Sequence, residues 1–336
     1  MIIAYVILVV LVVLLIALPV GFFHFVAWLL KAWPLWGTVF KWLGFAAGTI
    51  IALVFAYGFT FGWRKIAVHP YDYKHTYIPA AFEGYKIIQL SDFHIGTLSG
   101  HPEVVQEIVD KVNGLNPDLI VFTGDLVNMS SSEQDEFHEI LRGFRAKDGV
   151  VSVLGNHDYM PYARISDRER VADIQRLQAQ ELDLGWHLLM NENYVVRRGE
   201  DTLAIVGVEN DGDGKHFPQY ADLQKAQADL SDNSFKILLS HDPTHWHRSV
   251  IPDTDIPLQL SGHTHAMQFK LFGWSPSKWI YSQWYGRYDY DDPTTGASTK
   301  IDHRRTLIVS SGIGEVGIPF RFGAWPEIVE ITLHRR

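Results

Sequence analysis

Five short apolar runs in this chain each end on side chains that can hold a metal ion. They are Ile-Ile-Gln-Leu-Ser-Asp92-Phe-His94, Ile-Val-Phe-Thr-Gly-Asp125, Val-Ser-Val-Leu-Gly-Asn156-His157-Asp158, Ile-Leu-Leu-Ser-His241-Asp242 and Leu-Gln-Leu-Ser-Gly-His263-Thr-His265. Runs of this length, bounded by glycine and polar residues, read as buried strands. Helix-spaced segments follow the first two, at His101–Leu115 and Glu133–Phe144, and a longer polar helix is predicted near residues 167–182. Further strand candidates are Tyr194–Arg198, Leu203–Val208, Thr306–Val309 and Ile328–Leu333. Helices intervene early and strands follow one another late, which implies an α/β domain whose sheets are mostly covered by helices. In such sheets ligands bind outside the carboxyl ends of the strands. Strand alternation would also turn Asp92 with His94, and His263 with His265, the same way.

Taken singly, these blocks mean little. An Asp-x-His arises by chance, and a lone Gly-Asp after a strand is usually a turn. The signal is joint, because all five clusters follow apolar runs. His101, His138, His187, His216 and His303 fall outside this pattern and read as ordinary residues; His245 and His247 read as part of a short helix.

The N-terminus has a different solvent in mind. Ile2–Leu30 is apolar apart from small neutral residues and His24, and a second apolar run extends from Trp42 to Trp63. Each exceeds or approaches the roughly 20 residues a helix needs to span a bilayer. Trp28, Trp33, Trp36, Trp42 and Trp63 cluster at the ends of the runs, as interfacial aromatics do. A cleaved signal peptide followed by a core helix is the alternative, but no basic segment precedes the first run. We therefore expect a membrane anchor over residues 1–65, in which Pro34 and Gly37 break the helical pattern between the two runs, a lead-in over 66–84, and a catalytic domain over 85–336. The positive-inside bias of Arg64, Lys65 and Lys74 over Lys31 and Lys41 favours a cytoplasmic domain on a multi-pass membrane protein.

Composition narrows the chemistry. The chain has no cysteine, so disulfides, zinc–thiolate sites and thiol nucleophiles are excluded. Its net charge is −9, and residues 1–63 hold only Lys31 and Lys41, so the negative excess lies in the remainder. An acidic domain without a basic run argues against a nucleic-acid partner.

In order and content the five blocks resemble those of the calcineurin-like metallophosphoesterases: Asp-x-His, Gly-Asp, Gly-Asn-His-Asp, His and Gly-His-x-His over residues 85–265. The stretch from Val309 to Gly323 is similar to the membrane-anchored bacterial branch of that family, although Ala266 stands where that branch often has glycine. The resemblance implies a four-layer α/β/β/α sandwich of two mixed sheets, here preceded by two N-terminal transmembrane helices. It implies two divalent metal ions, one held by Asp92, His94 and His265, the other by Asn156, His241 and His263, with Asp125 bridging them. It also implies that His157 is a general acid and not a ligand. Asp92 or Asp158 would orient His157, or Asp158 is a turn carboxylate. Arg321 would touch a substrate phosphate, or is structural.

Oxygen and imidazole donors without sulfur suit manganese, iron or zinc. Two such ions lower the pKa of a bridging water and neutralise charge on a phosphoryl group, which lets an acidic domain accept an anionic substrate. Gly124-Asp125-Leu126-Val127-Asn128-Met129 lacks the Arg of the Ser/Thr protein phosphatase branch. A phosphodiester or pyrophosphate is therefore expected, lipid-linked if the anchor holds the site at a bilayer, with Trp274–Tyr290 as an apolar lip. A soluble nucleotide is the rival substrate, and a non-catalytic metal-binding scaffold the rival function.

Overall fold

Period-two burial of apolar residues on both faces of two sheets sets the architecture. The computed structural model describes residues 2–214, 217–231, 234–291 and 304–336; His216 and His303 lie outside them. The chain divides into two units, residues 1–62 with 320–322, and residues 63–319 with 323–336.

The first unit is a helical pair, α1 (Ile2–Leu29) and α2 (Pro34–Thr60), each long and apolar enough to cross a membrane. Pro34 does not break this pattern. It opens α2 at the first helical position, where its missing N–H costs nothing, and so Gly37 and Lys41 lie inside the helix. Gly44 and Gly48 of α2 sit so close to Phe23 and Val20 of α1 that a Cβ at either position would collide. Small residues four apart let two such helices approach at backbone distance. Phe320 packs its ring on Phe55 and Phe59 of α2, at 5.4 and 5.2 Å between centroids.

The second unit holds twelve strands among the described residues: β1 (Ala67–His75), β2 (Lys86–Leu90), β3 (Leu119–Phe122), β4 (Val150–Ser152), β5 (His187–Leu188), β6 (Glu192–Arg198), β7 (Asp201–Gly207), β8 (Phe235–Leu239), β9 (Leu258–Ser261), β10 (Gly286–Tyr290), β11 (Arg305–Val309) and β12 (Glu327–Arg335). They form two six-stranded sheets, ordered β1-β12-β2-β3-β4-β5 and β10-β11-β9-β8-β7-β6. Both are mixed: β12 runs antiparallel to β2 in the first, and the β6 and β10 edges run antiparallel to their neighbours in the second. The segment expected as a lead-in thus supplies an edge strand, β1, paired in parallel with β12.

Odd and even residues face different layers. Ile87, Leu119 and Val121 meet Ile237, Leu239 and Leu260 between the sheets. Ile88, Ile120 and Phe122 face outward onto Val105, Ile108 and Val112 of α3 (Pro102–Gly114) and onto Leu177 of a later helix. Val206, Leu238 and Leu307 pack outward on Trp246 and Val250. The result is the helix–sheet–sheet–helix sandwich.

Helix boundaries follow their caps. Residues 167–183 start at Ser166, whose side chain and that of Glu169 form a reciprocal capping box. The single helix expected over 133–144 is instead a turn at Ser131–Gln134 and a short helix at His138–Leu141. The reason lies in Glu133, whose carboxylate accepts from the backbone N–H of Asn128 and Met129, at 2.6 and 2.8 Å, and so holds the preceding loop.

Candidate metal centre

Beyond the carboxyl ends of β2, β3, β4, β8 and β9, the side chains of Asp92, His94, Asp125, Asn156, His241, His263 and His265 converge. The strand alternation argument is not what aims them. Asp92, His94, Asp125, His263 and His265 all have left-handed backbone, with φ of 51°, 40°, 58°, 74° and 49°. Each lies past its strand, in a conformation that costs a non-glycine residue about 1–3 kcal/mol and that clusters at functional sites. The loops are knit together: the Asp92 N–H donates to the Gly124 carbonyl at 2.8 Å and the His94 N–H to the Asp125 carbonyl at 3.1 Å. Gly155 and Gly262 are required because a Cβ on either would run into the carboxylate of Asp125 or Asp92. The 309–323 stretch contributes here too, since the N–H groups of Ile313 and Gly314 donate to the Asp92 carbonyl at 3.1 and 2.8 Å.

Two groups of donor atoms result. In one, Nε2 of His265 lies 3.0 Å from Nε2 of His94 and 3.3 Å from Oδ1 of Asp92. In the other, Oδ1 of Asn156 lies 2.8 Å from Nδ1 of His263 and 3.2 Å from Nε2 of His241. Oδ2 of Asp125 reaches both, 3.5 Å from Nε2 of His94 and 3.2 Å from Nε2 of His241. Metal–donor bonds of about 2.0–2.2 Å put neighbouring donors of one coordination sphere about 2.8–3.6 Å apart. Every distance above falls in that range, so these buried His/Asp clusters fit a dinuclear metal site.

The electrostatics agree. Burial alone would raise the Asp92 carboxyl, but the His265 imidazole outweighs it and holds the group below its usual range. Burial works the same way at Asp125, where His241, His157 and His94 prevail and keep the carboxyl well down. Both shifts favour the ionised carboxylate, the charge a cation site needs. Nδ1 of His241 faces the Thr123 carbonyl at 2.8 Å, leaving Nε2 turned to the cluster. Nε2 of His263 meets the Tyr281 hydroxyl at 3.1 Å and Oδ2 of Asp242 at 3.5 Å, leaving Nδ1 turned to it. Such outer partners fix which imidazole nitrogen is free to bind.

His157 stands at the edge of this cluster, its ring 4.6 Å from that of His94 and 4.6 Å from that of Tyr162. Its Nδ1 faces the Asn128 carbonyl at 2.8 Å. That carbonyl orients the ring, in place of the carboxylate of Asp92 or Asp158. Asp158 is occupied otherwise: it accepts from the backbone N–H of Asp125, Gly155 and Val127, at 2.7, 2.8 and 3.1 Å. Burial, and then the neighbouring Asp125, push its carboxyl up to about 7.

Among the described residues, His245 and His138 have partners away from the cluster. Nδ1 of His245 pairs with Ser240 Oγ at 2.9 Å, and Nε2 of His138 pairs with Asp183 at 2.8 Å. Arg321 is fully buried, with its backbone N–H on the Gly58 carbonyl. Sequence reasoning missed Tyr162, Asn128 and Phe217, whose ring lies 5.3 Å from His263. No local pattern marks them, since each acts through a long-range contact.

Comparison with known proteins accords with this geometry. A metallophosphoesterase of Bacillus subtilis, YkuE, itself uncharacterized, is 32% identical over 275 residues, covering 77% of this chain and 82% of its own. A Danio rerio transmembrane protein with a metallophosphoesterase domain is 29% identical over 262 residues, covering 76% of this chain and 54% of its own length. Residues 85–267, which carry all seven converging side chains, match the calcineurin-like phosphoesterase family, and the chain belongs to that family.

Proposed function

We propose that this protein is a membrane-anchored, metal-dependent hydrolase of a phosphodiester or pyrophosphate bond, acting on a lipid-linked substrate. The observation that carries the hydrolase reading is the spacing of the seven donor atoms, which suits two cations sharing Asp125. In this reading Asp92, His94 and His265 hold one ion, and Asn156, His241 and His263 hold the other. When bound, the pair would supply Lewis acidity to a phosphoryl group and lower the pKa of water. The chain's own residues do the rest. The Asn128 carbonyl fixes Nδ1 of His157 as a donor, so the imidazolium form hands its Nε2 proton to the departing oxygen and is left as the neutral Nδ1–H ring. Tyr162, Phe217 and Tyr281 flank His157 and His263 and line one side of the site with aromatic rings.

The anchor rests on α1 and α2, whose length and composition suit a bilayer, and on the transmembrane relative. Positive-inside bias supports a cytoplasmic domain in this reading. That anchor and the aromatic residues around the site support a lipid-linked substrate.

Hydrolysis of bis-p-nitrophenyl phosphate by the purified chain tests the enzyme reading. Metal-loaded wild type should turn over, and Asp125→Asn should not. Equal rates in the two would leave a tethered metal-binding scaffold as the better account. Lipid phosphates accumulating in a deletion strain, read by mass spectrometry, test the substrate. Their absence would favour a soluble nucleotide.

A further inference from the structure

The chain leaves the metal centre at His265 and returns to it at Tyr281, and between them Met267, Leu271, Phe272, Trp274, Trp279 and Ile280 are exposed. Leu271 and Trp274 pair as a two-residue hairpin, their N–H groups and carbonyls exchanged at 2.9 and 3.0 Å. The tip is Phe272-Gly273, with φ of 50° and 77°. Turns of this hand favour Asn or Gly at the first position, and a phenylalanine there is strained. Its side chain is 99% exposed, so the folded domain recovers nothing from it. Ser275 then caps a short turn that presents Trp279, 77% exposed, and Ile280. Trp274 and Trp279 meet edge to face at 5.2 Å, so hairpin and turn form one patch, with Met267 and Leu271 also exposed.

We infer that this patch inserts into the headgroup region of a bilayer carrying anionic lipid. The charge is complementary: residues 256–288 contain no Asp or Glu, whereas Lys270 and Lys278 lie beside the patch, in a chain that is otherwise acidic. Lys278 is exposed beside Trp279, and Lys270 sits over the Tyr285 ring at 3.7 Å. Tryptophan, phenylalanine and lysine together are the residues that reside at a membrane interface. A projecting tip also suits a soft surface better than the flat face of a second copy. The inference rests on the membrane reading above and extends it: the patch is contiguous along the chain with both His265 and Tyr281, so its insertion would bring the site's entrance to the lipid surface.

The absence of cysteine makes the test direct. Phe272→Cys in the full chain takes an environment-sensitive fluorophore, with Glu139→Cys on an exposed helix as control and Leu15→Cys within α1 as a separate probe of anchoring. All three are reconstituted in vesicles of phosphatidylethanolamine and phosphatidylglycerol containing spin-labelled lipid. Position 272 should show blue-shifted emission that shallow spin labels quench, while position 139 shows neither. Water-like, unquenched emission at 272 overturns the inference, and so does a blue shift that no lipid label quenches, which means burial against protein. Quenching at position 15 reports anchoring independently, so either reading can fail without the other.

Discussion

The carboxylate of Asp158 lies 2.7 Å from the backbone N–H of Asp125, the residue placed between the two donor groups. With Gly155 and Val127 also donating to it, this one buried side chain ties the β3 and β4 loops together. Asp158→Ala strands these N–H groups, and each unsatisfied buried donor costs roughly 1–3 kcal/mol. Thermal unfolding of the detergent-solubilised chain should drop markedly, with metal content falling in parallel. Wild-type melting would show that the loops hold without it.

His157→Ala should keep its metal and lose rate. General acid catalysis is worth about 10²–10⁴-fold, and that is the loss expected in kcat. Elemental analysis of the same preparation checks the other half, because a matching loss of metal would make His157 a ligand instead of a proton donor.

Asp242 faces Nε2 of His263 at 3.5 Å while Thr244 donates to its other oxygen through both N–H and hydroxyl, at 2.8 and 2.7 Å. Asp242→Asn keeps the shape and removes the charge. Outer partners of this kind are worth about 10–100-fold in metal affinity. Titration of the chelator-stripped variant with manganese or zinc should read a weakening of that size; unchanged affinity would leave Tyr281 as the sole partner that matters.

Glu181 is buried with Ser152 as its hydrogen-bond partner, and burial, reinforced by Asp158, pushes its carboxyl up to about 8 from 4.5. The folded state therefore holds a proton that the unfolded chain releases. Stability is greatest below 4.5 and declines as pH rises toward 8. Glu181→Gln removes this dependence and should stabilise the chain at pH 7, by at most about 3 kcal/mol. Melting curves of both chains from pH 5 to 8 measure it, and a gain over wild type no larger at pH 8 than at pH 5 would contradict the assignment.

Much of the sandwich and its rim was legible because β2, β3, β8 and β9 are short, mostly apolar runs, and the blocks after them carry donors whatever the loop conformation. Other parts follow from contacts that no local pattern encodes. The segment from Ala67 to His75 alternates Tyr71 and Tyr73 with Asp72 and Lys74 and contains Pro70, as an edge strand does, but its partner lies at the far end of the domain. His187–Leu188 is too short to register as a strand. The left-handed backbone at His94 and His265 cannot be read from residue types, because histidine gains nothing there except position. Likewise Asp158 and Asp242 look like any turn carboxylate until the N–H groups and the imidazole they serve are in view.

The pairing of β1 with β12 also has a bearing on how the protein is made. β12 lies between β1 and β2, so the first sheet has a vacant slot until residues 327–335 have left the ribosome. Domains form as units during synthesis, N-terminal segments first. Here the two apolar helices emerge well before that slot is filled, so they are free of the ribosome before the sheet can close.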